Sequence, residues 1–149
     1  MNRSTISTMN LTASGKSPEQ FLNEADASWR RLEDGLAADY PKLYGIVGLA
    51  RFKFKGETLF IGRSVEYQRG ALCKYLKTLG SARDQTGNQY FGARTIRGYG
   101  DDIDVEVLEV GRGWKAAELT KNLKRKMIKR HRPKLNQNIA KRIAEQADD

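Results

Sequence analysis

The stretch "LYGIVGLARFKFKGETLFIGRS", residues 43–64, decides the fold. It opens apolar, alternates through Ala50, Arg51, Phe52, Lys53 and Phe54, breaks at "KGE", and turns apolar again over "TLFIG". Alternation at period two marks a strand with one buried face, and a polar break between two such runs marks a turn. The stretch is therefore an antiparallel hairpin.

The flanks surround that hairpin with helices and one more strand. Residues 1–16, rich in Ser, Thr and Asn, read as a flexible tail. "SPEQ" then starts a helix, with Ser17 as N-cap, Pro18 at the first helical position and Gln20 completing a capping box. Phe21, Ala25, Trp29, Leu32 and Leu36 recur at helical spacing, which extends this helix over residues 17–40, until Pro41 disfavours helical geometry at Tyr40.

Downstream, Leu72, Tyr75, Leu76 and Leu79 predict a helix over residues 65–79, followed by the polar loop "GSARDQTGNQ". "DIDVEVLEV", residues 102–110, alternates as a third strand. "WKAAELTKNLKRKMIKRH", residues 114–131, predicts a helix with Leu119, Leu123, Met127 and Ile128 inward, stopped before Pro133. A last short helix is expected over 139–147, in a C-terminal segment (139–149) with an acidic end. The order predicts an α+β core over residues 41–138: a small three-stranded antiparallel sheet flanked by helices, with an added N-terminal helix.

Composition limits what such a domain can do. A chain of 149 residues with 39% hydrophobic content is one domain with one real core. No apolar stretch approaches the roughly 20 residues of a spanning helix, and the N-terminus has no signal-peptide block, so no membrane partner and a cytoplasmic location are expected. The single cysteine, Cys73, and single histidine, His131, exclude an intrachain disulfide and metal sites built from Cys and His.

Charge is distributed unevenly. The formal net charge is +9, yet residues 1–39 hold four basic against six acidic residues. Between Lys115 and Lys134 stand nine basic residues and one acid, Glu118. A stripe of this kind suits a polyanion, because each phosphate neutralised releases condensed counterions. The plain alternative is the solvated face of a helix in a basic protein.

The pieces "YGIVGLARF", "TLFIGRS", Arg69 in the following helix, and a last helix ending "RPKLNQN" together resemble the GIY-YIG nuclease superfamily over about residues 43–138. That resemblance implies two tyrosines on neighbouring strands beside the scissile phosphate, an arginine holding the phosphate, a glutamate carrying one divalent metal, and a supporting asparagine. A hard oxygen ligand would hold Mg²⁺ while metal and guanidinium offset charge developing on the phosphoryl oxygens.

This chain keeps only part of the set. Val47 and Phe60 stand where the motif tyrosines belong, and Lys124 stands at the glutamate position. Arg69 falls within a residue of the phosphate-holding arginine, and Pro133 and Asn136 match the closing Pro-x-x-Asn. Glu118, Glu109, Tyr44 and Tyr75 form no convincing replacement set. Such losses remove the metal and strengthen attraction to a phosphate backbone. The sequence thus points to a catalytically impaired nucleic-acid-binding domain, with DNA ahead of RNA, using Arg63, Arg69, Lys74, Lys124, Arg125, Lys129 and Arg132, with no metal and no cofactor. An active nuclease would use Arg69 and Asn136 with Mg²⁺. A further alternative is an inhibitor module that meets a protein partner through the basic face or the N-terminal helix. Small size and charge suit a phage or mobile-element protein by association.

Overall fold

The structure, a computed structural model, describes residues 16–36, 38–80 and 102–136. Residues 1–15 of the tail expected over 1–16, the loop beyond residue 80 and the helix expected from 139 lie outside them. Helix α1 (Pro18–Asp26) begins as its sequence requires: the Ser17 hydroxyl accepts from the Gln20 amide, and the Gln20 side chain accepts from the Ser17 amide. It ends fourteen residues before the expected boundary at residue 40. Residues Arg30–Arg31 form strand β1 instead.

The physical reason lies in where the apolar stripe is buried. Phe21 and Ala25, with Trp29 against them, belong to one core cluster; Leu32, with Leu36 against the same group, belongs to another. The two clusters lie on opposite faces of the sheet, and one straight helix cannot face both. The chain therefore leaves the helix after Asp26 and pairs along an edge of the sheet.

Strands β2 (Val47–Phe54) and β3 (Glu57–Ser64) form the predicted hairpin. Its tip is Lys55–Gly56, both at positive φ (52° and 82°), the geometry whose twist suits a two-residue connection. Strand β4 (Ile103–Gly111) pairs with β2, and β1 pairs with β4. The result is an α+β fold with a four-stranded antiparallel sheet in the order β1-β4-β2-β3. The expectation of three strands is corrected to four, since Arg30–Arg31 and Leu32, whose amide donates to the Val105 carbonyl, satisfy the outer edge of β4.

Helix α2 (Leu72–Gly80) covers one face, burying Leu72, Tyr75, Leu76 and Leu79 against Ala50, Phe52, Val105 and Val107. It starts seven residues later than the predicted 65. Residues 67–70 are turns, and Ala71 has a left-handed φ of 51°, which a continuous helix cannot include. Gly62 permits close packing here: a Cβ on it would stand 1.9 Å from the Tyr75 hydroxyl. Helix α3 (Gly113–His131) and α1 cover the other face, where Leu119, Leu123 and Met127 meet Val47, Leu49, Ile61 and Leu108.

Two polar devices lock the layers. Asp26, the last residue of α1, lies 2.8 Å from His131 Nε2, accepts from Trp29 Nε1 at 3.0 Å and from Arg130 at 3.3 Å, and has Arg51 at 3.9 Å. Burial by itself pushes its carboxyl up, but the hydrogen bonds from His131, Trp29 and Arg130 outweigh that and hold it below its ordinary value. At the other edge, Pro133 and the left-handed Arg132 (φ 47°) turn the chain around β3. Asn136, buried there, accepts from the Ile61 amide at 2.8 Å and donates to the Ile61 carbonyl at 3.0 Å. Its amide takes the place of a neighbouring strand.

Replacing Asn136 with Ala leaves two buried backbone groups unpaired and should cost roughly 2–4 kcal/mol in urea unfolding; an unchanged midpoint would refute the clasp. Because the Asp26 carboxyl is lowered in the fold, its contribution is complete above 3.8 and is lost as pH falls through the folded value. The Asp26→Asn variant should start less stable at neutral pH and show a flatter acid limb in a pH series of thermal melts.

Candidate nucleic-acid interface

The cations of this chain fall into two groups by their partners. On β1 and β2 each basic residue has a carboxylate: Arg30 with Glu109 at 2.6 Å, Arg31 with Asp104 at 3.3 Å, Arg51 with Glu106, and Lys53 with Glu106 at 3.7 Å. At the end of α3, Arg130 and His131 go to Asp26. The residues predicted to contact phosphate behave differently. The side chains of Arg63, Arg69, Lys74, Lys124, Arg125, Lys129 and Arg132 make no hydrogen bond or ion pair with another described residue.

Helical spacing explains part of this pattern. Arg125 and Lys129 stand at i and i+4, so they share the outward side of α3, and Arg132, the left-handed residue that caps the helix, is exposed as they are. One turn earlier, Glu118 and Lys121 on the same helix bond at 3.0 Å, which uses the segment's single acid. The last turn also places positive charge at the negative end of the helix dipole, a reason for basic residues there that is independent of any ligand.

Lys124 is set deeper. It lies on α3 toward β3, half-buried, with Arg63 on that strand near enough to act on it. Burial pushes its ammonium below the ordinary value, and the Arg63 charge adds to the shift. Two cations facing each other without an acid among the described residues raise the local affinity for an anion.

The predicted residues gather only in part. The register pairs Leu49 with Arg63, so Arg63 shares the α3 side of the sheet with Val47 and Lys124. Phe60 pairs with Phe52 and packs on the opposite face. Positions 47 and 60, which the resemblance sets side by side at a reacting centre, are thus separated by the thickness of the sheet. Arg69 is not on a helix but in the turn between β3 and α2, where Gly70 accepts from the Gly45 amide. Lys74 is exposed on α2, across the sheet from the α3 row. Asn136 is committed to Ile61.

A divalent metal does not fit these residues. The position implied for its carboxylate holds the Lys124 ammonium beside a guanidinium, while Glu109 lies on the other face with Arg30 and Glu118 bonds Lys121. Among the described residues no cluster of three or more His, Cys, Asp or Glu side chains is placed to hold an ion. Tyr75 packs in the core at 8% exposure, and Tyr44, expected on a strand, follows the short 3-10 turn Pro41–Leu43 and is exposed.

Sequence reasoning missed the Asp26 cluster and three exposed aromatic side chains, Tyr44, Tyr67 and Trp114. The aromatic signal was available only as residue type, since exposure depends on the tertiary fold. No protein-family model, no curated protein and no solved structure matches this chain. Among the described residues no helix is long and apolar enough to cross a membrane.

The lowered Lys124 carries a stability consequence. Its charged form is the disfavoured one in the fold, so the penalty is complete at neutral pH and fades as pH rises through the folded value toward the ordinary 10.5. Lys124→Met keeps the alkyl packing and removes the charge. Its thermal midpoint should exceed that of the parent by a few degrees at neutral pH, with the gap narrowing in alkaline buffer.

Proposed function

We propose that this chain is a GIY-YIG-like nucleic-acid-binding module that contacts backbone phosphates, DNA ahead of RNA, and has lost phosphodiester cleavage. The observation that carries the reading is the sorting of charge. Carboxylates accompany the cations of β1 and β2, whereas Arg63, Lys124, Arg125, Lys129 and Arg132 have no acidic partner among the described residues. Unpaired cations along one helix and its neighbouring strand match the repeating charge of a phosphodiester chain, and releasing its counterions supplies the affinity. The family resemblance supports the same ligand through the order of hairpin, strand and closing Pro133-x-x-Asn136.

Chemistry is a different matter. Phosphodiester hydrolysis needs an activated water and neutralisation of the developing charge. An ammonium at position 124 attracts the phosphate, yet it does not lower the pKa of a bound water as a metal does. Valine and phenylalanine at 47 and 60 offer no oxygen. Binding therefore survives losses that remove catalysis.

Fluorescence anisotropy with labelled DNA and RNA across a salt series tests the binding. The Arg125→Gln/Lys129→Gln double variant should weaken binding to every sequence alike and reduce the salt slope by roughly 1.4 to 1.8. No binding at low salt rejects the proposal, and affinity for an acidic protein in its place would favour the inhibitor reading. Supercoiled plasmid with Mg²⁺ or Mn²⁺ should stay intact, and Lys124→Glu should weaken binding without restoring cleavage. Nicking that disappears in Arg69→Ala would establish an active nuclease.

A further inference from the structure

The described surface exposes three large hydrophobic side chains, and all are aromatic: Tyr44 at 61%, Trp114 at 59% and Tyr67 at 37%. They come from three separate segments that meet at one end of the sheet. Tyr44 immediately precedes Gly45, whose amide donates to Gly70 in the turn that carries Tyr67. The Tyr44 carbonyl accepts from Arg112 Nη1 at 3.0 Å, two residues before Trp114. Val47 and Gly111 are register partners at the same end.

The surroundings of these rings are basic. The segments 40–46, 64–71 and 111–115 hold four cations, Lys42, Arg69, Arg112 and Lys115, against one carboxylate, Glu66. Lys115 Nζ lies 5.8 Å from the Trp114 ring centroid. A protein-docking patch is built on an apolar centre with aliphatic residues around its aromatic anchors. No large aliphatic side chain is among the exposed hydrophobics here.

We infer that this end of the sheet, with Tyr44, Tyr67 and Trp114 set among cations, is a stacking platform for unpaired bases, so the nucleic acid engaged is single-stranded where it reaches the platform. The inference rests on the phosphate-binding function proposed above and names its substrate class. An aromatic ring stacks on any exposed base face, and cations beside it hold the backbone. Bases inside a duplex already stack on one another and present only their edges in the grooves. Helix α3 starts at the platform and spans about 28 Å. Arg125 and Lys129 on this helix, and Arg132 just beyond it, can follow the same strand's phosphates away from the rings.

Binding of the full chain to labelled oligothymidylate, to an abasic strand of equal length and to a duplex tests the idea. The base-bearing strand should bind more tightly than the abasic one. Trp114→Ala and Tyr44→Ala should each weaken it on the order of tenfold, with the salt slope unchanged and binding to the abasic strand unaffected. Trp114→Phe should retain most of the affinity. The emission of exposed Trp114, followed against a Trp114→Phe control that leaves half-buried Trp29, should be quenched by oligothymidylate alone. Equal affinity for base-bearing and abasic strands, or alanine variants that bind as the parent does, overturns the platform. If the Arg125→Gln/Lys129→Gln variant still weakens every probe in that case, phosphate binding stands and only the stacking falls. Failure of every probe to bind at low salt overturns both.

Discussion

The carboxylate of Asp26 is the constraint on which the arrangement of helices depends. It ends α1 at the negative pole of the helix dipole, an unfavourable place for an anion unless cations answer it. Arg130 from the end of α3 and Arg51 from β2 do so, His131 lies within hydrogen-bond distance of the same carboxylate, and Trp29 turns back to donate to it. The Arg51 guanidinium also lies over the Trp29 ring at 4.3 Å. One acid thereby ties the end of α1 to the end of α3 and to β2.

The same cluster divides the charges of α3. Arg130 and His131 bond Asp26, whereas Arg125, Lys129 and Arg132 face water with no acidic partner among the described residues. Basic residues that are close in the chain thus serve different ends, two holding the fold and three remaining for a ligand. Lys124, between these groups and beside Arg63, meets the cost of partial burial without an anion. A fold that keeps such a residue charged gains most when a phosphate arrives.

Much of the fold was legible where the signal was local. The Lys55–Gly56 tip needs positive φ at two residues, and Gly56 accepts that at no steric cost. The Ser17 capping box and the apolar spacing of α3 depend on near neighbours only. The failures were long-range. Leu32 and Leu36 sit at helical spacing from Phe21 yet pack on the other side of the sheet. Asn136 reads from the sequence as the supporting asparagine of the Pro-x-x-Asn pattern, and its bond to Ile61, 75 residues away, emerges only in the fold. The candidate site was legible as residue types and as a stripe, but which cations are spent on carboxylates was not.

Sequence alone determined the α+β order of elements, the hairpin and its turn, the amphipathic last helix and the excess of positive charge, because each follows from periodicity, turn chemistry or counting. Tertiary structure decided that residues 30–31 become a fourth strand, that Val47 and Phe60 lie on opposite faces, that Arg63 comes beside Lys124, and that three distant aromatic residues share one end of the sheet. The physical reason is that exposure and charge pairing belong to contacts between segments, and a linear pattern holds the candidates for those contacts without specifying which of them meet.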